Sequence, residues 1–184
     1  SLKNLMKKIA IIGAGISGLY FANLLEKEKD LDYKIFEKLS KINLETGYGI
    51  QLSVNSIKLL NKIGFKNISA SDIFFPTKVN FFKSNNPNKI CDIDLTQFND
   101  DLSRYTTTKR STLLKFLLQN IPKDKIKFNT TLNYLDYSSD IKAYFSDKSE
   151  ENFDFVIIAD GVFSQSKFMI SKESLKPMYN NSIA

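Results

Sequence analysis

The sequence predicts an α/β fold organised around a parallel sheet, on three observations. Lys8 to Ile12 is a β-branched run that stops at Gly13, the pattern of a short buried strand. Ile16 to Lys27 carries Leu19, Ala22, Asn23, Leu24 and Leu25 at helical spacing. Asp32 to Glu37 reads as a second strand. A strand, glycine turn, helix and strand within about 30 residues make a βαβ unit, whose right-handed crossover sets the two strands parallel.

The remaining elements follow in order. After a polar loop, Gly49 to Leu52 is short and extended, and Val54 to Ile63 places Val54, Ile57, Leu60 and Ile63 on one helix face before Gly64, a glycine helix stop. Val79 to Lys83 and Ile90 to Leu95 flank Asn85-Asn86-Pro87-Asn88 and are expected as two strands joined by a turn that begin a second, antiparallel sheet. Arg110 to Gln119 is a helix carrying Leu113, Leu114, Leu117 and Leu118, ended by Pro122. Lys125 to Phe128, Leu132 to Tyr137 and Ile141 to Phe145 read as strands, and Phe153 to Ala159 as a last buried strand. Residues after Lys167 show no pattern, and no repeat or linker marks a domain boundary.

Composition narrows the chemistry. With 184 residues, 42% hydrophobic and 25% charged, the chain has enough apolar material for one core, and fibrous and disordered classes are excluded. Histidine is absent and Cys91 is the one cysteine, which removes serine-histidine triads, histidine metal sites, zinc ribbons and disulfide scaffolds. No metal site is expected, and the single thiol suits a reducing, cytoplasmic setting. Basic residues number 26 against 20 acidic ones, for a net charge of +6. Only Arg104 and Arg110 are arginines, and lysines alternate with acids as in Glu26-Lys27-Glu28-Lys29-Asp30, so no nucleic-acid partner is expected. Ile9 to Ala22 behind Lys7-Lys8 superficially resembles a secretory signal. It is too short to span a bilayer, three glycines interrupt it and no small-x-small site follows, so neither export nor a transmembrane segment is expected.

The chemistry is carried by Gly13-Ala14-Gly15-Ile16-Ser17-Gly18, a G-x-G-x-x-G that leaves a strand and opens a helix. In that context the first glycine permits the tight turn, the second lets a pyrophosphate approach the backbone and the third lets helix and strand pack closely. The helix N-terminus adds amides and the positive end of its dipole. Taken alone, these could be mere turn and packing glycines. Glu37, 19 residues after Gly18 at the end of the second strand and followed by Lys38, is placed to accept hydrogen bonds from ribose hydroxyls. Together they point to an adenine dinucleotide without deciding between NAD and FAD.

Three further stretches, and the order of elements, resemble the flavoprotein aromatic hydroxylases of the para-hydroxybenzoate hydroxylase type, which include ubiquinone-pathway and salicylate hydroxylase-like enzymes. Gly47-Tyr48-Gly49-Ile50-Gln51-Leu52, with the helix that ends at Gly64, is similar to the family's G-x-G-I-x-L segment. Lys109-Arg110-Ser111-Thr112-Leu113 is similar to its His-Arg-x-x-Leu. Ala159-Asp160-Gly161-Val162-Phe163-Ser164-Gln165-Ser166-Lys167 is similar to its A-D-G-x-x-S-x-x-R. The resemblance runs from about Lys7 to Lys167. It implies a Rossmann-like FAD-binding parallel sheet with the start of an inserted antiparallel substrate-binding sheet, in an incomplete domain. Dinucleotide-binding parts would lie at about 7–70 and 103–167, and a partial substrate sheet at about 77–100. The family's cofactor residues carry over to the glycine loop, Glu37, Lys38, Gly49, Arg110, Asp160 and Gly161.

The implied activity is hydroxylation of an aromatic ring by a flavin monooxygenase that uses FAD, NADH or NADPH as reductant, and O2. The difficult chemistry then belongs to the cofactor, so no catalytic acid or base is named. Tyr48 and Tyr105 could reach a substrate, although a half-buried sheet tyrosine is more often packing with a satisfied hydroxyl. Two substitutions depart from the family: Lys167 for the usual arginine, which loses the planar fork, and Lys109 for the common histidine. A second Gly-Asp motif that family members carry further along is missing, so the chain is expected to be an N-terminal portion. Peripheral membrane association is allowed by analogy with quinone-pathway members, without an amphipathic basic helix to argue for it. The competing readings are another FAD- or NAD-dependent oxidoreductase of the prenyl reductase type and a non-catalytic dinucleotide-binding remnant. A disulfide reductase is excluded by the lone cysteine.

Overall fold

A computed structural model describes residues 6–45 and 48–170, so Gly47 and everything after Ile170 lie outside the described residues. In chain order the elements are β1 (Lys7–Ile12), α1 (Ile16–Leu25), β2 (Leu31–Phe36), β3 (Gly49–Leu52), α2 (Val54–Asn61), β4 (Ile73–Phe74), β5 (Lys78–Lys83) and β6 (Asn86–Asp94). They continue as β7 (Thr106–Lys109), α3 (Arg110–Leu118), β8 (Ile126–Lys127), β9 (Leu132–Asp136), β10 (Ile141–Phe145), β11 (Glu150–Phe153), β12 (Phe155–Ile158) and α4 (Lys167–Ile170), with single 3₁₀ turns between several of them. The chain divides into two compact units, one from the described parts of Ser1–Ile42 and Leu117–Ala184, the other Asn43–Phe116.

The first unit is built on a four-stranded sheet of order β12-β1-β2-β8, parallel throughout. Its central strand is covered on both faces. Ile9, Ala10, Ile11 and Ile12 are all buried, which is why β1 reads as a continuous apolar run instead of alternating. On one side α1 buries Leu19 and Ala22. The amide of buried Asn23 donates to Leu19 O at 2.8 Å and to Leu117 O at 2.7 Å, tying α1 to the end of α3. The other face of the sheet carries the antiparallel meander β11-β10-β9. Leu132, Leu135, Ala143, Phe145 and Phe153 pack there against Ala10, Ile12 and Phe36. The Phe36 ring stacks on Phe145 at 4.1 Å between centroids and meets Phe153 edge-on at 5.9 Å.

The single strand expected over Phe153 to Ala159 is two strands, β11 and β12, that belong to different sheets. The break falls at Asp154, whose carboxylate accepts from Lys8 N at 2.8 Å and pairs with Lys7 Nζ, while its own N–H donates to Lys8 O at 2.8 Å. Flanking Phe153 and Phe155 are both apolar, so nothing in the hydrophobic pattern marks the switch of sheet.

In the second unit β7 lies between β3 and β4 in an antiparallel three-stranded sheet, and β5 and β6 form a separate antiparallel ribbon. No strand was expected at Thr106–Lys109, which lacks apolar residues. Its threonines are β-branched and suit a pleated strand, and buried Thr108 donates its hydroxyl to Asp72 O at 2.7 Å. The turn expected at Asn85 to Asn88 is tighter, at Ser84 and Asn85, and Asn86 and Pro87 enter β6. Proline is tolerated because the ribbon is all edge, with no further strand to claim its missing N–H.

Two outcomes follow. Leu19 is fully buried, so Leu19→Ala should lower unfolding free energy by about 2–5 kcal/mol in a denaturant titration. The Asp154 carboxyl is held below the usual carboxylate range, first by its hydrogen bond to Lys7 and then by the Lys8 amide. A group depressed in this way stabilises the fold above its unfolded value near 3.9 and loses that contribution as pH falls through the folded value. The thermal midpoint should therefore drop on acidification below about pH 4, and Asp154→Asn should flatten that dependence.

Candidate functional site

The glycine loop of the first unit is shaped by two close backbone approaches. Gly13 donates its N–H to Phe36 O at 2.8 Å and has φ of +106°. A Cβ there would lie 2.5 Å from Ala159 O, so both the backbone conformation and the neighbouring strand end require glycine. A Cβ on Gly18 would lie 2.1 Å from Gly13 O and 3.2 Å from Ile11 Cγ2, so α1 sits directly on the end of β1. Gly15 differs, because nothing lies within 4 Å of the Cβ it lacks. It is the N-cap of α1, no side chain caps that helix end, and its first turn carries no acid. No side chain of α1 itself therefore caps these amides or offsets the dipole there.

Gly13 and Gly15 open onto a cleft of about 200 Å³ that is also lined by Glu37, Lys38, Thr130, Thr131, Asp160, Gly161 and Ser166. Ala14, Ile16, Ser17 and Gly18 are not in its lining. Ala14 is buried, Ile16 and Ser17 open α1, and Gly18 is packed beneath. The Glu37 side chain is buried and ties the loop together: Oε2 accepts from Ala14 N at 2.8 Å and Oε1 from Leu39 N at 2.9 Å. A carboxylate has about four lone-pair positions, so these two amides leave half of its accepting capacity free.

On the opposite lip, Ala159 N donates to Ile12 O at 2.8 Å, which carries β12 alongside β1 and delivers Asp160 to the cleft. The chain then turns at Gly161, where φ is +91°. Asp160 Oδ2 accepts from Ser166 N at 3.3 Å, and Ser164 Oγ accepts from Lys167 N at 3.1 Å. The second carboxylate oxygen, Asp160 Oδ1, is buried without a hydrogen-bond partner among the described residues. A buried unpaired carboxylate oxygen is costly in the absence of a donor.

Thr130, Thr131 and Ser166 were not singled out in the sequence. The threonines arrive because Glu37 N donates to Lys127 O at 2.9 Å and Thr130 N to Glu37 O at 3.0 Å, which lays the β8 exit along the end of β2. The available signal was their position just past a strand of the parallel sheet, on the edge where such folds bind ligands.

The other motif residues belong to the second unit. Gly49 pairs with Lys109 across β3 and β7, and Arg110 N donates to Tyr48 O at 3.0 Å. Two segments some sixty residues apart in sequence are therefore neighbours. Arg110, half-buried, opens α3 and makes no ion pair among the described residues. Tyr48 is exposed, and Tyr105 donates its hydroxyl to Gln51 Oε1 at 3.2 Å. Among the described residues no cluster of acids and cysteine is arranged to hold a metal, and no helix is long and apolar enough to cross a membrane.

Residues 11–45 match the family of NAD(P)-binding Rossmann-like domains. The chain is 26% identical over 160 residues to a 3-amino-4-hydroxybenzoate 2-monooxygenase of Streptomyces cremeus, covering 85% of this chain and 40% of that protein. It is 26% identical over 169 residues to the FAD-dependent monooxygenase dpasE of Apiospora sacchari, covering 86% and 34% respectively. In three dimensions it superposes on Klebsiella pneumoniae HpxO, solved with FAD and uric acid, with a TM-score of 0.72 at 22% identity, over 88% of this chain and 41% of that one. The chain has the fold of the N-terminal part of the FAD-dependent monooxygenases. A 2,6-dihydroxypyridine-3-hydroxylase of Arthrobacter nicotinovorans shares this monooxygenase fold with a TM-score of 0.71 over 90% of this chain and 40% of that one. The chain thus spans about two fifths of the length of these monooxygenases.

The geometry separates the glycines of the loop. Gly13→Ala should cost roughly 2 kcal/mol or more of stability from its left-handed backbone and the collision with Ala159. Gly15→Ala should stay within about 0.5 kcal/mol of the parent. Equal unfolding midpoints for the two variants would contradict the loop geometry.

Proposed function

We propose that this chain is the dinucleotide-binding part of an FAD-dependent monooxygenase that hydroxylates an aromatic or quinone-precursor ring with NADH or NADPH and O2. The observation that carries the reading is the cleft at the glycine loop, which is lined by an open Gly15 at an uncapped helix N-terminus and by Asp160, one of whose oxygens is buried without a partner among the described residues. The named relatives support the choice of FAD and of monooxygenation over a prenyl reductase or a non-catalytic remnant. Substrate, oxygen and a cytoplasmic setting belong to this reading of the whole protein.

The residues present fit the group. Bound FAD would supply the redox chemistry, and the protein's work is binding and orientation. The amides at the start of α1 would receive the diphosphate, with Gly15 leaving room for it. Glu37 would accept from the adenosine ribose hydroxyls with its remaining lone pairs while its other contacts hold the loop. Lys38, at the exposed mouth, would add positive charge near the phosphates. Asp160 Oδ1 would accept a donor from the cofactor, relieving the cost of its burial, and Gly161 provides the turn that keeps Asp160 facing the cleft. For Gly49 and Arg110 the resemblance alone carries the cofactor assignment. The partition into dinucleotide parts at about 7–70 and 103–167 and a partial substrate sheet at about 77–100 is likewise part of the proposal.

Titrating FAD into the purified chain and following quenching of flavin fluorescence tests this directly. Saturable binding is expected, and Gly15→Val should abolish it, because the side chain would fill the space meant for the diphosphate, while the variant still unfolds cooperatively. Undiminished affinity in a folded Gly15→Val variant would overturn the assignment.

A further inference from the structure

Among the described residues, two that are not glycine have a left-handed backbone: Lys148 at φ of +66° and Asn129 at φ of +52°. That region is costly for an L residue, and asparagine is one of the few side chains that enter it readily. Lys148 stands in the hairpin turn between β10 and β11, where a short loop commonly holds one such residue. Asn129 is in no hairpin. It sits where the chain leaves β8, in the parallel sheet, and heads for β9 in the meander. Its side chain is exposed and makes no hydrogen bond among the described residues, so what it contributes is backbone conformation.

The bonds on either side show what that conformation achieves. Before the bend, Glu37 N donates to Lys127 O at 2.9 Å; after it, Thr130 N donates to Glu37 O at 3.0 Å; and Asn129 N itself donates to Leu39 O at 3.0 Å. Residues 127–130 thereby clasp the end of β2, holding both backbone groups of Glu37 and the carbonyl of Leu39. Leu39 in turn donates its N–H to Glu37 Oε1 at 2.9 Å, so the clasp reaches the carboxylate. Beyond the bend, Thr131 N donates to Ser146 Oγ and Ser146 N to Thr131 O, both at 2.9 Å. The far side is therefore fixed to the meander, and a right-handed or extended residue at 129 would send the chain elsewhere and break part of the clasp. A local conformational cost held in place by surrounding bonds is a usual feature of sites kept ready for a ligand.

We propose that Asn129 is a positioning residue of the dinucleotide cleft: its left-handed backbone lets residues 127–130 clasp the end of β2 and aim the Glu37 carboxylate at the adenosine ribose. The ligand half of this statement rests on the FAD reading above, and the clasp itself does not. Asn129 acts through Leu39 and through the backbone of Glu37, without touching the ligand.

Three variants separate conformation from side chain. Asn129→Gly removes the side chain and keeps the conformation, Asn129→Ala strains it mildly, and Asn129→Val, being β-branched, strains it most. Amide hydrogen exchange on the ligand-free chain compares Ala14 and Leu39, the two donors to the Glu37 carboxylate, with Leu19, whose N–H donates to Gly15 O in α1. Calorimetric titration with ADP and with 2′,3′-dideoxy-ADP reads the ribose contact. Asn129→Gly should match the parent in both measurements. Asn129→Ala and Asn129→Val should lose about tenfold more protection at Ala14 and Leu39 than at Leu19, bind ADP about tenfold more weakly and discriminate less between the two nucleotides. Should Asn129→Val not fold, Asn129→Ala carries the comparison. Equal loss of protection at all three amides, or the parent's preference for ADP retained in the folded alanine or valine variants, would mean that Asn129 only stabilises the fold and would overturn the proposal. An Asn129→Gly chain that behaves like Asn129→Val would overturn it as well. If the parent binds neither nucleotide while the exchange pattern holds, the FAD reading fails and the clasp stands.

Discussion

The first unit depends on how closely three pieces of backbone meet at the C-terminal end of β1. Gly18 rests on the carbonyl of Gly13, and Gly13 rests on the carbonyl of Ala159. Because no side chain intervenes, α1 starts at the strand end and β12 ends beside it, so the helix N-terminus and Asp160 border one cleft. The same contacts align the central strand so that Ala10 and Ile12 meet Phe36, Phe145 and Phe153 on the meander side. Packing and site geometry are therefore consequences of one close approach.

Glu37 shows how a residue can hold the fold and still keep accepting capacity for a ligand. Burial of a carboxylate is expensive unless hydrogen bonds replace its water. The amides of Ala14 and Leu39 supply two, which pins the glycine loop to the end of β2. The unused lone pairs then face a cleft already shaped by that pinning. Asp160 is built in the same way, one oxygen held by Ser166 N and the other left without a partner. In both cases the protein fixes the acid's orientation before any ligand arrives, which lowers the cost of binding.

Much of this was readable in the sequence where the signal is local. The apolar run of β1, the glycines that follow it and the helix spacing of α1 all lie within some twenty residues, and the structure has those elements with ends shifted by a residue or two. What escaped depends on distant pairing or on residues that carry no apolar pattern. β7 is made of threonines and a lysine, and its place between β3 and β4 is set by register with segments far away in the chain. The change of sheet at Asp154 is hidden because phenylalanines flank it, and what turns the chain is a hydrogen bond to Lys8. Thr130 and Thr131 reach the cleft through backbone bonds to the end of β2, a relation that no side-chain motif advertises.

The central claim is that Glu37 keeps accepting capacity for ribose hydroxyls while it holds the glycine loop. A double-mutant cycle measures that directly, comparing ADP and 2′,3′-dideoxy-ADP on the parent chain and on Glu37→Gln by calorimetry. The expected result is a loss of about 1.5–3 kcal/mol when the hydroxyls are removed from the parent's ligand, the usual worth of hydrogen bonds to a charged group. That difference should shrink to under about 1 kcal/mol on the Glu37→Gln chain. Equal affinity of the parent chain for the two nucleotides would contradict it.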